Sequence, residues 1–383
     1  MNRAFSAIGM TVAAGVLALS SMAAAAEPAT PAPVQRPLIQ MAILLDTSGS
    51  MEGLIEQAKS ELWKIVNEFA TARRGGVMPE LQVGLYEYGK STIPASEGYL
   101  RMILPLTTDL DKVSEELFAL KCNGGQEYCG HVIQAATKGL AWSTGRRDLK
   151  VIFIAGNEPF TQGQVDYRES CKAAVARGVT VNTIFCGPAQ QGIDTKWKDG
   201  ADVADGSYMS IDHNRKAVHI DAPQDAEIAR LGAELNKTYL AYGAAGRASR
   251  ARQAEQDVAA AALAPEVNVQ RQVAKASGQY RAGGWDLVDA LRANPKVLEE
   301  VKDEELPAEM QKMTDAERKA HIEARGRERA EIQAKIQQLS EERKRFVAEK
   351  MRELTKDGGD TLEAAIIRAV RAQAVKAGFE FTE

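Results

Sequence analysis

Short apolar runs alternate with amphipathic helical patterns along the first part of this 383-residue chain. Residues 38–45 are apolar except for Gln40, which is typical of a strand buried on both faces of a sheet. A helical pattern follows, with apolar residues on one face between positions 54 and 69. Residues 150–155 and 179–186 predict two further strands, joined by a helix at 164–177. This alternation predicts an α/β fold with a mostly parallel sheet and covering helices.

The remaining patterns divide the chain into two regions. Strands are expected at 81–88, 99–106 and 207–211, and helices at 113–120, 132–142 and 228–242, so the first domain spans residues 38–245. Beyond residue 246 glycine becomes rare and strand-like runs disappear, which predicts an all-α C-terminal region, 246–383. Thr314 and Glu317 form a capping-box pattern that opens a long polar helix. Its apolar stripe is sparse, so packing against a short helix, such as the one containing Ile366, is favoured over a long coiled coil.

The N-terminal segment has the layout of a cleavable secretion signal. Arg3 precedes an apolar run, which ends in small residues before Glu27. We expect a signal peptide at residues 1–26, with a membrane anchor as the alternative. Four prolines at 28–37 predict an extended linker, residues 27–37. The mature protein is therefore expected to be periplasmic or secreted, with no transmembrane segment.

Four cysteines are present in a chain that is expected to mature where disulfides persist. Three pairings are open to four cysteines. We favour Cys122–Cys129, which flank one loop, and Cys171–Cys186, which lie on a helix and the following strand. Buried free thiols are the alternative. The spacings contain no C-x-x-C pair, which argues against a zinc site.

The residues that carry chemistry follow the first strand. Asp46, Ser48 and Ser50 lie in a glycine-containing turn at the carboxyl end of that strand, where open parallel sheets bind their ligands. One carboxylate and two hydroxyls suit a hard cation such as Mg²⁺, with Mn²⁺ or Ca²⁺ as alternatives. A partner's oxygen can replace one of the waters that such an ion keeps. The alternative is an empty site in which a serine only caps the next helix.

These residues resemble the metal-ion-dependent adhesion site of von Willebrand factor A domains. The motif is DTSGSM at residues 46–51, and the segment WKDGADVADGSY at 197–208 is similar to the last helix and strand of that family. The resemblance covers about residues 38–243. It implies a Rossmann-like, twisted, mostly parallel sheet with helices on both faces, and binding of another protein through Mg²⁺.

Two expected ligand positions depart from the family pattern. The family usually has threonine after a glycine pair in its second loop, whereas here Gln126 and Glu127 follow the pair. Its third loop usually has Asp-Gly, whereas here Asn157 and Glu158 follow the strand. We expect Glu127 and Glu158 to replace the missing ligands. Three carboxylates around Mg²⁺ would overcompensate its charge and repel an acidic partner, so such a metal would be structural or would recognise neutral groups.

Other residues complete the expected binding face. Tyr128, Gln126 and Asn157 adjoin the expected metal loops and are predicted to contact a partner. The pairs Asp212-His213 and His219-x-Asp221 have metal-ligand chemistry, but they are more typical of a solvated hairpin.

The function predicted from the sequence is metal-assisted protein binding or scaffolding. Mixed charge, with a net charge of −4, argues against nucleic acid as the partner. No phosphate-binding, nucleophile-elbow or zinc-protease motif is present, so we expect no catalytic residue. A metal-dependent hydrolase and a purely structural envelope protein with an empty site remain as alternatives. The C-terminal helices offer a route to oligomers.

Overall fold

The computed structural model describes residues 36–211, 220–354 and 362–381. The predicted signal peptide and residues 27–35 of the predicted linker lie outside this part. So do Asp212, His213 and His219, three of the four residues in the candidate hairpin metal pairs. No helix within the described residues is both long and apolar enough to cross a lipid bilayer.

A six-stranded sheet forms the centre of the molecule, in the order β4-β3-β1-β5-β6-β7. All neighbouring strands are parallel except β3 and β4, which are antiparallel. The strands are β1 (Leu38–Asp46), β3 (Glu80–Tyr88), β4 (Leu100–Thr107), β5 (Leu149–Gly156), β6 (Thr180–Cys186) and β7 (Tyr208–Ile211). Two short strands, β2 (Ala72–Arg73) and β8 (Glu380–Phe381), form a separate antiparallel pair. The predicted α/β class is confirmed.

Helices cover both faces of the sheet, as the buried strands require. The helices up to the end of the first region are α1 (Glu52–Ala70), α2 (Leu110–Ala119), α3 (Cys129–Gly139), α4 (Tyr167–Ala176), α5 (Ala189–Asp194), α6 (Trp197–Val203) and α7 (Asp225–Lys237). Alternate residues of β1 point to opposite sides: Met41 and Leu45 pack with α1 and α2, whereas Ala42 and Leu44 pack with α3, α4 and α6. We call these the α1 face and the α3 face.

The second region is helical, as predicted. Its helices are α8 (Gly243–Leu263), α9 (Pro265–Lys275), α10 (Leu287–Ala293), α11 (Val297–Glu300), α12 (Asp315–Leu354) and α13 (Leu362–Lys376). The capping box that opens α12 is confirmed: Thr314 N donates to Glu317 Oε2 at 2.8 Å, and Glu317 N donates to Thr314 Oγ1 at 3.4 Å. The α12 helix packs against α7, α9 and α10.

The C-terminal helix α13 is not the partner of α12. Ile366 and Val370 of α13 belong to the core of the α1 face, where α13 packs against α1 and β7. The final strand β8 then pairs with β2, beside Phe379, which is 2% exposed. The end of the chain therefore completes the cover of the central sheet. The sequence shows that α13 is amphipathic, but its partner depends on where the preceding helices direct the chain.

Candidate metal site

Three loops meet at the carboxyl edge of the sheet, beside the ends of β1, β3 and β5. Asp46 ends β1 and is fully buried, and its Oδ1 accepts a hydrogen bond of 2.7 Å from Ser48 N. Thr47 N donates to Tyr88 O at 2.9 Å, which fixes the turn against the end of β3. Asn123 N donates to Thr47 O at 2.7 Å and brings the loop before α3 to the same place. Backbone contacts therefore set the position of the loops.

Glycine at position 89 allows Asp46 and Glu127 to approach each other. Gly89 has φ +78°, and a Cβ atom there would lie 2.7 Å from Asp46 Oδ1 and 2.9 Å from Glu127 Cγ. An alanine would meet both side chains and would also be strained by the left-handed backbone. The Tyr88 hydroxyl donates to Ala155 O at 2.8 Å and ties β3 to β5 below this point.

Asp46, Ser48 and Glu127 form what we call the oxygen cluster. All three are buried, and Glu127 is only 5% exposed. With both carboxyls ionised, Asp46 Oδ2, Ser48 Oγ and Glu127 Oε2 are buried oxygen atoms without a hydrogen-bond partner among the described residues. Buried polar atoms are normally paired, so three unpaired oxygens at one point fit a bound cation.

The two carboxyls cannot both be charged at low cost without a cation. Burial raises the pKa of Asp46 to about 6. Burial, followed by the charge of Asp46, raises the pKa of Glu127 to about 9. At neutral pH Glu127 therefore keeps its proton and hydrogen-bonds to Asp46. A divalent cation can take the place of that proton.

The other predicted ligands lie around the oxygen cluster but are differently engaged. Glu158 Oε2 accepts a hydrogen bond of 3.4 Å from Gln162 Nε2, and Gln162 Oε1 accepts one of 2.9 Å from Glu127 N. Glu158 is thus held at the rim, and its charge contributes to the raised pKa of both Asp46 and Glu127. Ser50 is exposed, and its Oγ accepts a hydrogen bond of 3.1 Å from Asn157 Nδ2.

Half-buried aromatic rings adjoin this rim. Tyr128 contacts Tyr99 edge to face, with ring centroids 5.6 Å apart, and stacks on His131 at 6.0 Å. Tyr99 has φ 56°, a strained conformation for a residue with a side chain. Gly163 allows the ring of Tyr128 to pack closely, since a Cβ there would lie 2.7 Å from Tyr128 Cγ. Gln126, the remaining predicted contact residue, is exposed.

Sequence reasoning missed two residues that shape the site. Gly89 leaves room for Asp46 and Glu127 to lie close together, and Gln162 links Glu127 to Glu158. A glycine directly after the predicted strand at 81–88 was a usable signal, whereas nothing in the sequence marks Gln162. Among the described residues, no group of three or more His, Cys, Asp or Glu side chains is arranged to hold a metal. The oxygen cluster has two carboxylates and depends on a hydroxyl for its third oxygen.

The predicted disulfides are wrong for this structure, which has four free cysteines. Cys122 packs on the α1 face and Cys129 on the α3 face, so the sheet separates them. The same holds for Cys186 on the α1 face and Cys171 on the α3 face. Closeness in sequence suggested both pairs, but the two members of each pair pack into cores on opposite faces of the sheet.

The comparisons with known proteins concern the first region. Residues 40–200 match the family model of the von Willebrand factor type A domain. A comparison with curated proteins found no match. Among solved structures, the conserved hypothetical protein BatB from Bacteroides thetaiotaomicron is 17% identical, with 45% of this chain and 90% of that chain covered and a TM-score of 0.35.

Two further solved structures match over a similar share of this chain. The SpRpn10 VWA domain is 18% identical, with 45% of this chain and 88% of that chain covered and a TM-score of 0.34. Proximal thread matrix protein 1 from the mussel byssus, with a zinc-occupied MIDAS motif, is 12% identical. The match covers 47% of this chain and 43% of that chain, with a TM-score of 0.37. On the family match and the observed fold, this chain contains a von Willebrand factor type A domain at residues 40–200.

Proposed function

We propose that this chain is an exported, periplasmic binding or scaffold protein whose von Willebrand factor A domain holds a divalent cation and uses it to bind a partner protein. The observation that supports this most is the oxygen cluster, in which three buried oxygens converge and have no hydrogen-bond partner once both carboxyls are ionised. Asp46, Ser48 and Glu127 would bind the ion directly. Mg²⁺ is the first candidate, and Mn²⁺ and Ca²⁺ are alternatives. The export part of the proposal depends on the signal-like residues 1–26.

The charge of the cluster narrows the class of partner. Two carboxylates neutralise a divalent ion, and Glu158 adds a further negative charge at the rim. An incoming carboxylate would therefore be repelled, whereas a neutral oxygen would not. We propose that the partner supplies a neutral oxygen, such as a backbone or amide carbonyl or a hydroxyl. Tyr128, with Tyr99 beside it, would pack against the neighbouring part of the partner.

The enzyme alternative lacks a supporting observation. A metal-dependent hydrolase needs a base beside the metal-bound water and a cleft for its substrate. Glu158 is the rim carboxylate, but its Oε2 is engaged by Gln162. Four cavities in the described part of the chain are formed by other residues, and none of these four is lined by Asp46, Glu127 or Glu158.

Calorimetry and thermal unfolding with Mg²⁺, Mn²⁺ and Ca²⁺ test the metal part directly. We expect saturable binding by the native chain and a higher melting temperature with metal. Asp46→Asn should abolish both effects. Glu349→Gln, which removes an exposed acid on α12, is the matched control and should leave them unchanged. Equal responses of Asp46→Asn and the native chain would contradict the proposed site.

Partner capture tests the binding part. Extracts of the cell envelope would be passed over the native chain, Asp46→Asn and Tyr128→Ala, each with metal and with chelator. A partner that elutes with chelator, and that either variant fails to retain, would support metal-assisted binding. Retention that is unaffected by chelator and by both variants would refute it, whatever the metal titration shows.

A further inference from the structure

A second site lies at the opposite edge of the sheet, next to the start of β5. A cavity of about 590 Å³ opens there between the C-terminal ends of α3 and α4. Leu140 and Trp142 contribute an apolar wall, while Arg146, Lys150 and Arg177 contribute positive charge. None of the residues that line this cavity is acidic. The cavity therefore combines three cations with an aromatic surface.

Lys150 is a buried cation without an acidic partner among the described residues. It is 6% exposed, and its Nζ donates to Ser143 O and Arg177 O, both at 2.9 Å. Within the described ranges, no carboxylate lies in ion-pair distance of this ammonium group. The nearby Asp148 carboxylate is engaged elsewhere, accepting hydrogen bonds from Ser143 Oγ at 2.6 Å and from Leu38 N at 3.3 Å. Buried charges are normally paired, so Lys150 lacks the counterion that its burial calls for.

The two arginines add positive charge that no acid in the cavity wall offsets. Arg177 Nη1 donates to Thr137 O at 2.8 Å near the end of α3. Arg146 is exposed and makes no hydrogen bond or ion pair with the described residues. The carbonyls at the two helix ends carry about half an elementary negative charge each. These partial charges offset only part of the three full positive charges.

We propose that this cavity binds a small anion with a carboxylate or phosphate group and an attached planar or apolar part. An ammonium group has three N–H donors, and Lys150 uses two of them on carbonyls. The third would donate to the anion, while Arg146 and Arg177 would pair with its remaining oxygens. The apolar part would lie against Trp142 and Leu140. Burial lowers the pKa of Lys150, and a bound anion would offset that cost of burying the charge.

Binding of inorganic phosphate and phenyl phosphate to the full chain tests this proposal at constant ionic strength. We expect saturable binding of both in calorimetry, a melting temperature raised by about 2 °C at 10 mM ligand, and tighter binding of phenyl phosphate because of the apolar wall. Lys150→Met should weaken binding at least tenfold. Arg146→Ala should weaken it about threefold, and it keeps the test decisive if Lys150→Met does not fold.

The control is Arg345→Ala, which removes an exposed cation from α12, outside the cavity. It should bind both ligands as the native chain does, and so should Asp46→Asn, since the cavity is independent of the oxygen cluster. The proposal is overturned if neither ligand shows saturable binding at 10 mM. It is also overturned if Arg146→Ala and Arg345→Ala bind equally well.

Discussion

Replacing Arg271 should destabilise the whole molecule, because this side chain joins the helical region to the domain. Arg271 lies on α9 and is fully buried. Its Nε donates to Asp257 Oδ1 on α8 at 2.6 Å, and its Nη1 donates to Asp111 Oδ1 on α2 at 2.8 Å. Its guanidinium group also lies 4.9 Å from the ring centre of Trp63 on α1. One cation thus connects four helices.

Arg271→Met keeps most of the side-chain volume and removes the charge. Lys275, whose Nζ lies 2.7 Å from Asp257 Oδ2, still pairs with that carboxylate. Asp111 retains only the hydrogen bond from the hydroxyl of Tyr280. Leaving a buried charge without its partner costs about 3–5 kcal/mol of the free energy of unfolding. At about 2 °C per kcal/mol for a chain of this size, the melting temperature should fall by about 6–10 °C.

Calorimetric unfolding and denaturant titration measure this loss. Adding Asp111→Asn to Arg271→Met should recover part of the stability, because Asp111→Asn removes the negative charge that Arg271→Met leaves without its cation. Arg345→Met, which changes an exposed arginine on α12, should shift the free energy of unfolding by less than about 0.5 kcal/mol. If the free energy of unfolding of Arg271→Met stays within about 1 kcal/mol of that of the native chain, the contacts of Arg271 do not join the two regions.

Three further predictions concern the site and the cysteines. Because the proton on Glu127 is lost only near pH 9, metal affinity should rise about tenfold per pH unit between pH 7 and 9, with about one proton released per ion. Calorimetry in buffers of different ionisation enthalpy measures the released protons, and a pH-independent affinity would contradict this prediction. Gly89→Ala should abolish metal binding while the protein stays folded, since its Cβ would lie 2.7 Å from Asp46 Oδ1; unchanged affinity in calorimetry would refute the packing argument. Peptide mapping without reductant should find neither of the disulfides suggested by sequence, and detection of either would show that the sheet does not separate those cysteines.

The strands could be predicted closely because burial on both faces leaves a clear pattern. The expected strand at 150–155 is found at Leu149–Gly156, and the one at 81–88 at Glu80–Tyr88. The meeting of Asp46 with the loop that contains Glu127 was also predictable, because that loop precedes the helix that leads back to the next parallel strand, β5, and therefore lies at the carboxyl edge of the sheet. The hydrogen bond that holds Glu158 to Gln162 was not, because it depends on the course of an irregular loop.

Long-range packing was the part that the sequence left open. The apolar residues of α13 indicate a helix with one buried face, but several apolar surfaces compete for it. The structure places Ile366 and Val370 on the central sheet instead of on α12. Arg271 and Lys275 look like ordinary solvated charges in a polar helix, yet both are fully buried. Their burial depends on acids from helices distant in sequence, which no local pattern reveals.

The two proposed sites follow from the direction of the same βα units. Helices α1 and α3 begin at the carboxyl edge of the sheet, so their positive N-terminal ends favour the acids Asp46 and Glu127 there. Helices α3 and α4 end at the opposite edge, where their negative C-terminal ends favour the cations Lys150 and Arg177. With both carboxyls ionised, neither set of charges is balanced by its helices alone, because each helix end supplies only about half a charge. The parallel fold therefore places Asp46 and Glu127 beside helix N-termini at one edge and Lys150 and Arg177 beside helix C-termini at the other, and each group fits a ligand of opposite charge.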